Sequence, residues 1–276
     1  MMTDRECFSP APAPAHYTKH IQLLNYHFLN HHLFILTQQQ DSRSTGTSLW
    51  LGAQCLSLYL ATVHKSIHQS PFHSRPRLLE LGSGIGLIAL AMNSLGWDVL
   101  ATDTSHTISS VLLPNIVSNR SRTTCNHSTI EVRELDWLVP PASWDWMNPV
   151  AVATTTTYTP LATETQANDA SLQPPFDLII SSDTIYDVEL IQPLLRALYN
   201  AATVSRSPPV YLCIERRDPA VIDRALSEAK RVWGFTVTRI PHRKVSKAME
   251  NGGLKWRMED WDGVEIWRLK LKNVQL

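Results

Sequence analysis

The run Leu78-Leu79-Glu80-Leu81-Gly82-Ser83-Gly84-Ile85-Gly86 constrains this chain more than any other feature. A short apolar strand, Arg77 to Leu81, leads into it, and a helix follows through Leu95. Glycines between a buried strand and a helix let the backbone approach a ligand closely, with the helix N–H groups aimed at it. The next strand, Trp97 to Thr102, ends at Asp103, 17 residues beyond Gly86. An acidic side chain at that point accepts both hydroxyls of a ribose, and the same position also suits a helix N-cap. The glycines fall as GxGxG, whereas the usual dinucleotide fingerprint is GxGxxG.

Around this core the chain alternates between strand and helix patterns. Residues 1–20 read as an unstructured tail, with Pro10, Pro12 and Pro14 among alanines and polar residues. Tyr26 to Gln39 reads as a short hairpin, and Leu49 to His64 as an amphipathic helix. A helix from Thr107 to Asn119, kinked or delayed at Pro114, precedes a strand from Thr129 to Leu135. Residues 139–175, rich in Pro and Trp and carrying the run Thr154 to Thr157, read as a long inserted loop. The strand Phe176 to Ser181, a helix from Val188 to Ala202, the strand Val210 to Glu215 and a helix from Pro219 to Trp233 continue the alternation. Phe235 to Ile240 and Val264 to Leu271 read as strands joined by a basic, Gly-containing stretch without a long helix, hence an antiparallel edge. Alternation of this kind implies a mostly parallel sheet covered on both faces.

Composition narrows the function. The 25 basic and 25 acidic side chains cancel, which speaks against a broad electrostatic grip on nucleic acid or on an anionic membrane. Cys7, Cys55, Cys125 and Cys213 lie far apart with no CxxC and no Cys/His cluster, so neither a metal site nor a disulfide framework is expected, and a reducing compartment is. Met1 to Pro14 holds no apolar signal core. No apolar run reaches the roughly 18–20 residues that span a bilayer. The expected setting is the cytoplasm, with the nucleus also open.

Five motifs in order then carry a resemblance: Gly46-Thr-Ser-Leu-Trp50-Leu-Gly-Ala53, Glu80-Leu-Gly-Ser-Gly-Ile-Gly86, Asp103, Leu135-Asp136-Trp137 and Ser182-Asp183-Thr-Ile-Tyr186. From about Tyr26 to Lys270 the chain resembles the family-16 (methyltransferase-like) seven-β-strand protein-lysine N-methyltransferases. The resemblance implies an α/β, Rossmann-like, seven-stranded, mostly parallel sheet with helices on both faces, a C-terminal antiparallel strand pair and a short N-terminal hairpin, all within residues 21–276. It implies S-adenosyl-L-methionine as cofactor and a protein substrate bearing the target lysine. Glu80 and Gly82, Ser83, Gly84 and Gly86 would hold the methionine end, and Asp103 the ribose. Asp136 would meet the adenine amino group, with Trp137 or Leu135 on the ring, and Ser182 would lie beside the cofactor. Trp50 would cover the methionine portion near the sulfonium, where an aromatic face favours positive charge. Asp183 and Tyr186 would stand beside the incoming lysine as the catalytic pair.

Other readings stay open on residues alone. Asp183 also suits a helix cap ahead of Asp187, and Asp136-Trp137 a strand-end turn. Glu215-Arg216-Arg217 reads as either substrate-proximal or a solvated turn, and the basic stretch Arg239 to Arg257 as an exposed loop or a contact for an acidic surface. Another acceptor, a small amine or a nucleic acid, is the first alternative, since one fold hosts many substrates. Against a nucleic-acid amine, Ser182-Asp183-Thr-Ile-Tyr186 stands where an Asn/Asp-Pro-Pro-Tyr-type motif is usual. A nicotinamide oxidoreductase is disfavoured by the glycine spacing, and a non-catalytic scaffold by the intact acidic and glycine positions.

Overall fold

The computed structural model describes residues 11–29, 31–40, 45–67, 69, 71, 73–122, 128–155 and 171–272. The chain opens with the helical turn α1 (Ala15–Thr18) and the hairpin β1 (Leu23–Phe28) and β2 (His32–Thr37), followed by α2 (Leu51–Val63). Then come β3 (Arg77–Leu81), α3 (Leu87–Ser94), β4 (Asp98–Asp103), α4 (Ser105–Thr107), α5 (Leu113–Asn119) and β5 (Ile130–Leu135). The second half holds β6 (Ala151–Ala153), β7 (Leu178–Ser182), α6 (Ile191–Val204), β8 (Val210–Glu215), α7 (Pro219–Arg231), β9 (Phe235–Arg239), α8 (His242–Asn251) and β10 (Val264–Leu271).

Among the described residues one large sheet runs β6-β5-β4-β3-β7-β8-β10-β9. The pairs from β6 through β8 are parallel, and β10 is antiparallel to both β8 and β9. The expected parallel sheet with an antiparallel edge and a separate hairpin is therefore present. The chain moves outward from β3 to β4, β5 and β6, then crosses back to β7 on the other side of β3. That reversal opens a crevice at the carboxyl ends of β3 and β7, the place where sheets of this type bind ligands. Two apolar layers, one on each face, bury the sheet.

The hairpin docks through side chains. Asn119 of α5 accepts from the Ile35 N–H and donates to the Ile35 carbonyl, both at 2.8 Å. Asn115 does the same for Thr37, at 2.8 and 2.9 Å. Both asparagines are buried. Their amides therefore stand in for a third strand along the edge of β2, satisfying backbone groups that would otherwise face the core without partners.

Several sequence expectations need correction. Residues 12–20 are held in place rather than forming part of a loose tail: the Ala15 N–H donates to Gln54 at 2.8 Å, the Trp256 indole to Pro12 O at 2.7 Å, and Tyr17 to Asp260 at 3.0 Å. Residues 1–10 lie outside the described residues. Helix α2 is not amphipathic in its setting. Nearly every residue from Leu51 to Leu60 is buried, because α8, which the glycine content of its stretch had hidden, covers the side that was expected to face solvent. Gly252, just past α8, lies so close to Leu58 that a Cβ there would meet it at 2.5 Å. The sheet has an eighth strand, β6, supplied by the start of the 139–175 insertion. Arg133, fully buried, donates to the carbonyls of Trp146, Asn148 and Leu172 and so ties both ends of that insertion to β5. Residues 156–170 of the insertion lie outside the described residues. Pro114 falls in the first turn of α5, where its missing N–H has no intrahelical role, and a π-turn over Ile108–Leu112 leads into it.

Removing the strand mimicry tests the hairpin's attachment. Asn119→Ala removes the partners of the partly buried Ile35 N–H and carbonyl and is expected to lower unfolding stability by about 1–3 kcal/mol in urea titrations.

Candidate active site

The crevice beside β3 and β7 opens into a cavity of about 480 Å³. The loop after β3 forms its floor, and two of its glycines are required by their surroundings. Gly82 has φ +74, and a Cβ on it would meet Thr184 Cγ2 at 2.7 Å and the Trp137 ring at 3.3 Å. Gly84 has φ +54, and a Cβ would meet the Gly46 carbonyl oxygen at 3.1 Å. The glycine loop is thus clamped between the segment before α2 and the turn after β5, in a backbone region that side chains avoid.

Asp103 closes one end. Its carboxylate accepts from the Gly84 N–H at 2.9 Å and the Thr104 N–H at 2.8 Å. Burial raises its pKa above the usual carboxylate range, against the pull of those hydrogen bonds. A carboxylate offers about four lone-pair sites, so it can hold the loop and still accept from a ligand hydroxyl. At the other end Asp136 accepts from the Leu138 N–H at 2.9 Å in a tight side-chain turn, with Thr155 3.3 Å away. Trp137 lines the cavity, and its indole N–H is buried without a partner.

Across the cavity stand Trp50, Ser182, Asp183 and Tyr186. The Trp50 indole donates to Thr45 O at 2.7 Å, which fixes the ring. Asp183 has φ 56, an uncommon conformation for a non-glycine residue and one that gathers at functional sites. Its Oδ2 accepts from the Ala53 N–H at 3.1 Å, so it caps the first turn of α2, where Trp50 itself offers no side-chain cap. Burial first, then the neighbouring Glu215, pushes the Asp183 pKa up to about 7; Arg217, the Ala53 N–H and Lys19 act the other way. Tyr186 is 56% exposed and so stands at the mouth.

Ten of the twelve sequence-derived site residues line this one cavity: Trp50, Gly82, Ser83, Gly84, Asp103, Asp136, Trp137, Ser182, Asp183 and Tyr186. Glu80 and Gly86 do not. Glu80 is buried beneath the loop, where it takes hydrogen bonds from the Ser83 hydroxyl and the Ala89 N–H, and its other oxygen has no partner. It shapes the loop from below. Gly86 is the N-cap of α3, and a Cβ there would meet Leu112 at 2.9 Å, so its smallness serves the packing of α3 on α5. Three contributors escaped the sequence reading. Gly52 admits the Asp183 carboxylate, which would lie 2.4 Å from an added Cβ. Gly46, within the quoted motif, lies against Thr107, whose Oγ1 an added Cβ would meet at 2.9 Å. Lys19 lies against Trp50, and no local signal announced it.

The residues present fit a ligand with a nucleoside at one end and a cation at the other. The buried Trp137 N–H at the cavity wall is a donor that a polar ligand there would satisfy. Residues 29–149 match a family model described as lysine methyltransferase. Over 115 residues the chain is 32% identical to protein-lysine methyltransferase METTL21E of Mus musculus, covering 41% of this chain and 42% of that protein. The chain therefore spans less than half the length of that curated relative. Among solved structures, a methyltransferase from Pyrococcus furiosus aligns with a TM-score of 0.46 at 13% identity, covering 87% of this chain and 90% of that one. Magnesium protoporphyrin IX methyltransferase from Synechocystis PCC 6803, with bound SAM, aligns with a TM-score of 0.43 at 10% identity, covering 80% and 79%.

The buried acid under the loop gives a test. Burial raises the Glu80 pKa from 4.5 to about 8. A group raised on folding contributes stability that is whole below its unfolded pKa and is lost as pH rises through its folded pKa. Between pH 5 and 7 the parent should lose stability as pH rises, by about 1 kcal/mol per pH unit from this group alone. Glu80→Gln, which does not titrate, should flatten the slope of unfolding free energy by that amount in urea titrations at pH 5, 6 and 7.

Trp50, the glycine loop, Asp103 and Asp136 all fall within residues 29–149, the segment that is similar to the lysine methyltransferase family.

Proposed function

We propose that this chain is an S-adenosylmethionine-dependent protein-lysine N-methyltransferase. The observation that carries the reading is the single cavity at the β3/β7 crevice, which gathers the glycine loop, Asp103, Asp136 and Asp183 around one volume. The cofactor supplies an electrophilic methyl group on a sulfonium. The loop backbone and the Ser83 region would hold its methionine end and Asp103 the ribose hydroxyls. Asp136 and Trp137 would hold the adenine, and Trp50 would present its ring to the positive sulfur. Glu80 supports the loop without touching the cavity.

Methyl transfer to nitrogen is an in-line displacement, so positioning a neutral amine does most of the work. Asp183 is suited to that task. Its carboxyl, held up at about 7 by burial, gains a reason to ionise when an ammonium approaches, and it can orient the amine as the proton departs. Tyr186, at the mouth, offers a phenol to the same acceptor. The substrate is a lysine of a protein, a reading supported by the family match and by the name of the mouse relative. The free, buried thiols of Cys55 and Cys213 suit a reducing compartment, the cytoplasm or nucleus. No helix among the described residues is long and apolar enough to cross a membrane.

Titration calorimetry with S-adenosylhomocysteine, followed by transfer of labelled methyl into protein of a cell extract, tests the reading. The parent should bind in the micromolar range. Asp103→Ala should weaken binding roughly tenfold or more, the loss expected for hydrogen bonds to a charged acceptor, and Gly84→Arg should abolish it. Asp183→Asn keeps an acceptor for the Ala53 N–H, so it should bind the ligand like the parent while transferring methyl about tenfold or more slowly. A folded parent that does not bind S-adenosylhomocysteine overturns the assignment.

A further inference from the structure

Lys19 directly follows α1 and reaches the cavity wall from outside the family-matched segment. Its Nζ lies 3.1 Å from the centroid of the Trp50 ring and donates to the Leu49 carbonyl at 2.8 Å. Both partners line the cavity. The Arg217 guanidinium lies 4.5 Å from the same ring and pairs with Glu215. The backbone beneath Lys19 is also fixed: its carbonyl accepts from the Gln40 amide at 2.9 Å, and the Ala15 N–H at the start of α1 is tied to Gln54 of α2. The lysine is therefore held against two residues of the cavity wall by a segment anchored on α2.

This is an unusual setting for a lysine. Burial and the adjacent Arg217 pull its pKa down from 10.5 to about 8, while the carboxylates of Asp183 and Glu215 pull the other way. An exposed cation–π pair contributes little, and lysine heads ordinarily stay in water. Here the amine is partly desolvated, lies on an aromatic face, and feels the carboxylate that lines the acceptor side. Those are the surroundings a methyl acceptor requires.

We propose that Lys19 is itself a methyl acceptor of this site, so that the chain modifies its own N-terminal segment. The inference rests on the reading of the cavity as an S-adenosylmethionine methyltransferase site. In the step, Lys19 first gives one proton to solvent. The Nζ lone pair then forms the new C–N bond as the methyl carbon–sulfur bond breaks, and that bonding pair stays on sulfur. The product is a methylammonium that retains its positive charge. It keeps N–H groups for the Leu49 carbonyl and a cation for the Trp50 face.

The test uses the full chain with methyl-labelled S-adenosylmethionine and no other protein, followed by peptide mapping. Label should appear on Lys19, and the labelled fraction at a fixed time should stay constant over a roughly tenfold range of protein concentration, as an intramolecular acceptor requires. Lys19→Arg should lose it. A second readout needs no cofactor: trace acetylation of the unliganded protein across pH should give Lys19 a midpoint at about 8 rather than 10.5. Absence of label on Lys19 in protein that binds S-adenosylhomocysteine overturns this inference alone. So does label that persists in Lys19→Arg, or an acetylation midpoint near 10.5. Failure to bind S-adenosylhomocysteine removes the methyltransferase reading and this inference together.

Discussion

The carboxylate of Asp183 holds the first turn of α2 against the carboxyl end of β7, and the geometry of the cavity depends on that contact. Helix α2 begins at Leu51 without a side-chain cap of its own; Asp183, 130 residues later in sequence, accepts from the Ala53 N–H in its place. An acid at a helix N-terminus satisfies an orphan donor and meets the positive end of the helix dipole. Gly52 is what permits the approach, since any larger residue would collide with the carboxylate. By fixing the start of α2, the contact sets Leu49 and Trp50 at the cavity wall and carries the hairpin segment over the glycine loop, where Gly46 meets Gly84. The same carboxylate also lines the cavity, so one side chain fixes a helix start and forms part of the cavity wall.

The cavity is also unusual in its acids. Glu80, Asp103 and Asp183 each have pKa values raised mainly by burial, and each lies in or under the crevice. A buried acid without a full complement of charged partners is a cost to the folded chain. It becomes an asset when a cation arrives, because ionisation is then supported by a neighbour. A ligand carrying a sulfonium and an amino group, and an acceptor carrying an ammonium, are the cations this arrangement suits. In the structure the Lys19 ammonium and the Arg217 guanidinium lie over the Trp50 ring, which connects the N-terminal segment to that charge balance.

Local patterns carried much of this in advance. The strand–glycine–helix unit from Arg77 to Ser94 was legible because each part is short-range: a buried apolar strand, glycines at positive φ, and an apolar helix. The strands Val210–Glu215 and Val264–Leu271 fell where their patterns placed them. All of the ten cavity residues but Trp50, which precedes α2, follow or end a strand, and the doubly wound topology brings strand ends to one edge. Where the reading erred, the deciding contact was distant. Helix α2 looked amphipathic until α8 covered it. Glu80 and Gly86, expected at the cofactor, fall outside the cavity lining, one beneath the loop and the other against α5. Edge strand β6 is only three residues long and pairs where Arg133 holds the flanking chain.

The sequence by itself therefore determined the alternating elements, the glycine loop and the acidic residues at the strand ends, because hydrophobic period and backbone freedom are properties of neighbouring residues. Only the tertiary structure decided which of those residues share a volume, that Asn115 and Asn119 complete the edge of β2, that Asp183 caps α2, and that Lys19 rests on Trp50. Each of these is a hydrogen bond or charge contact between residues from 31 to 130 positions apart. A local pattern holds no record of such a partner until the sheet has brought it near.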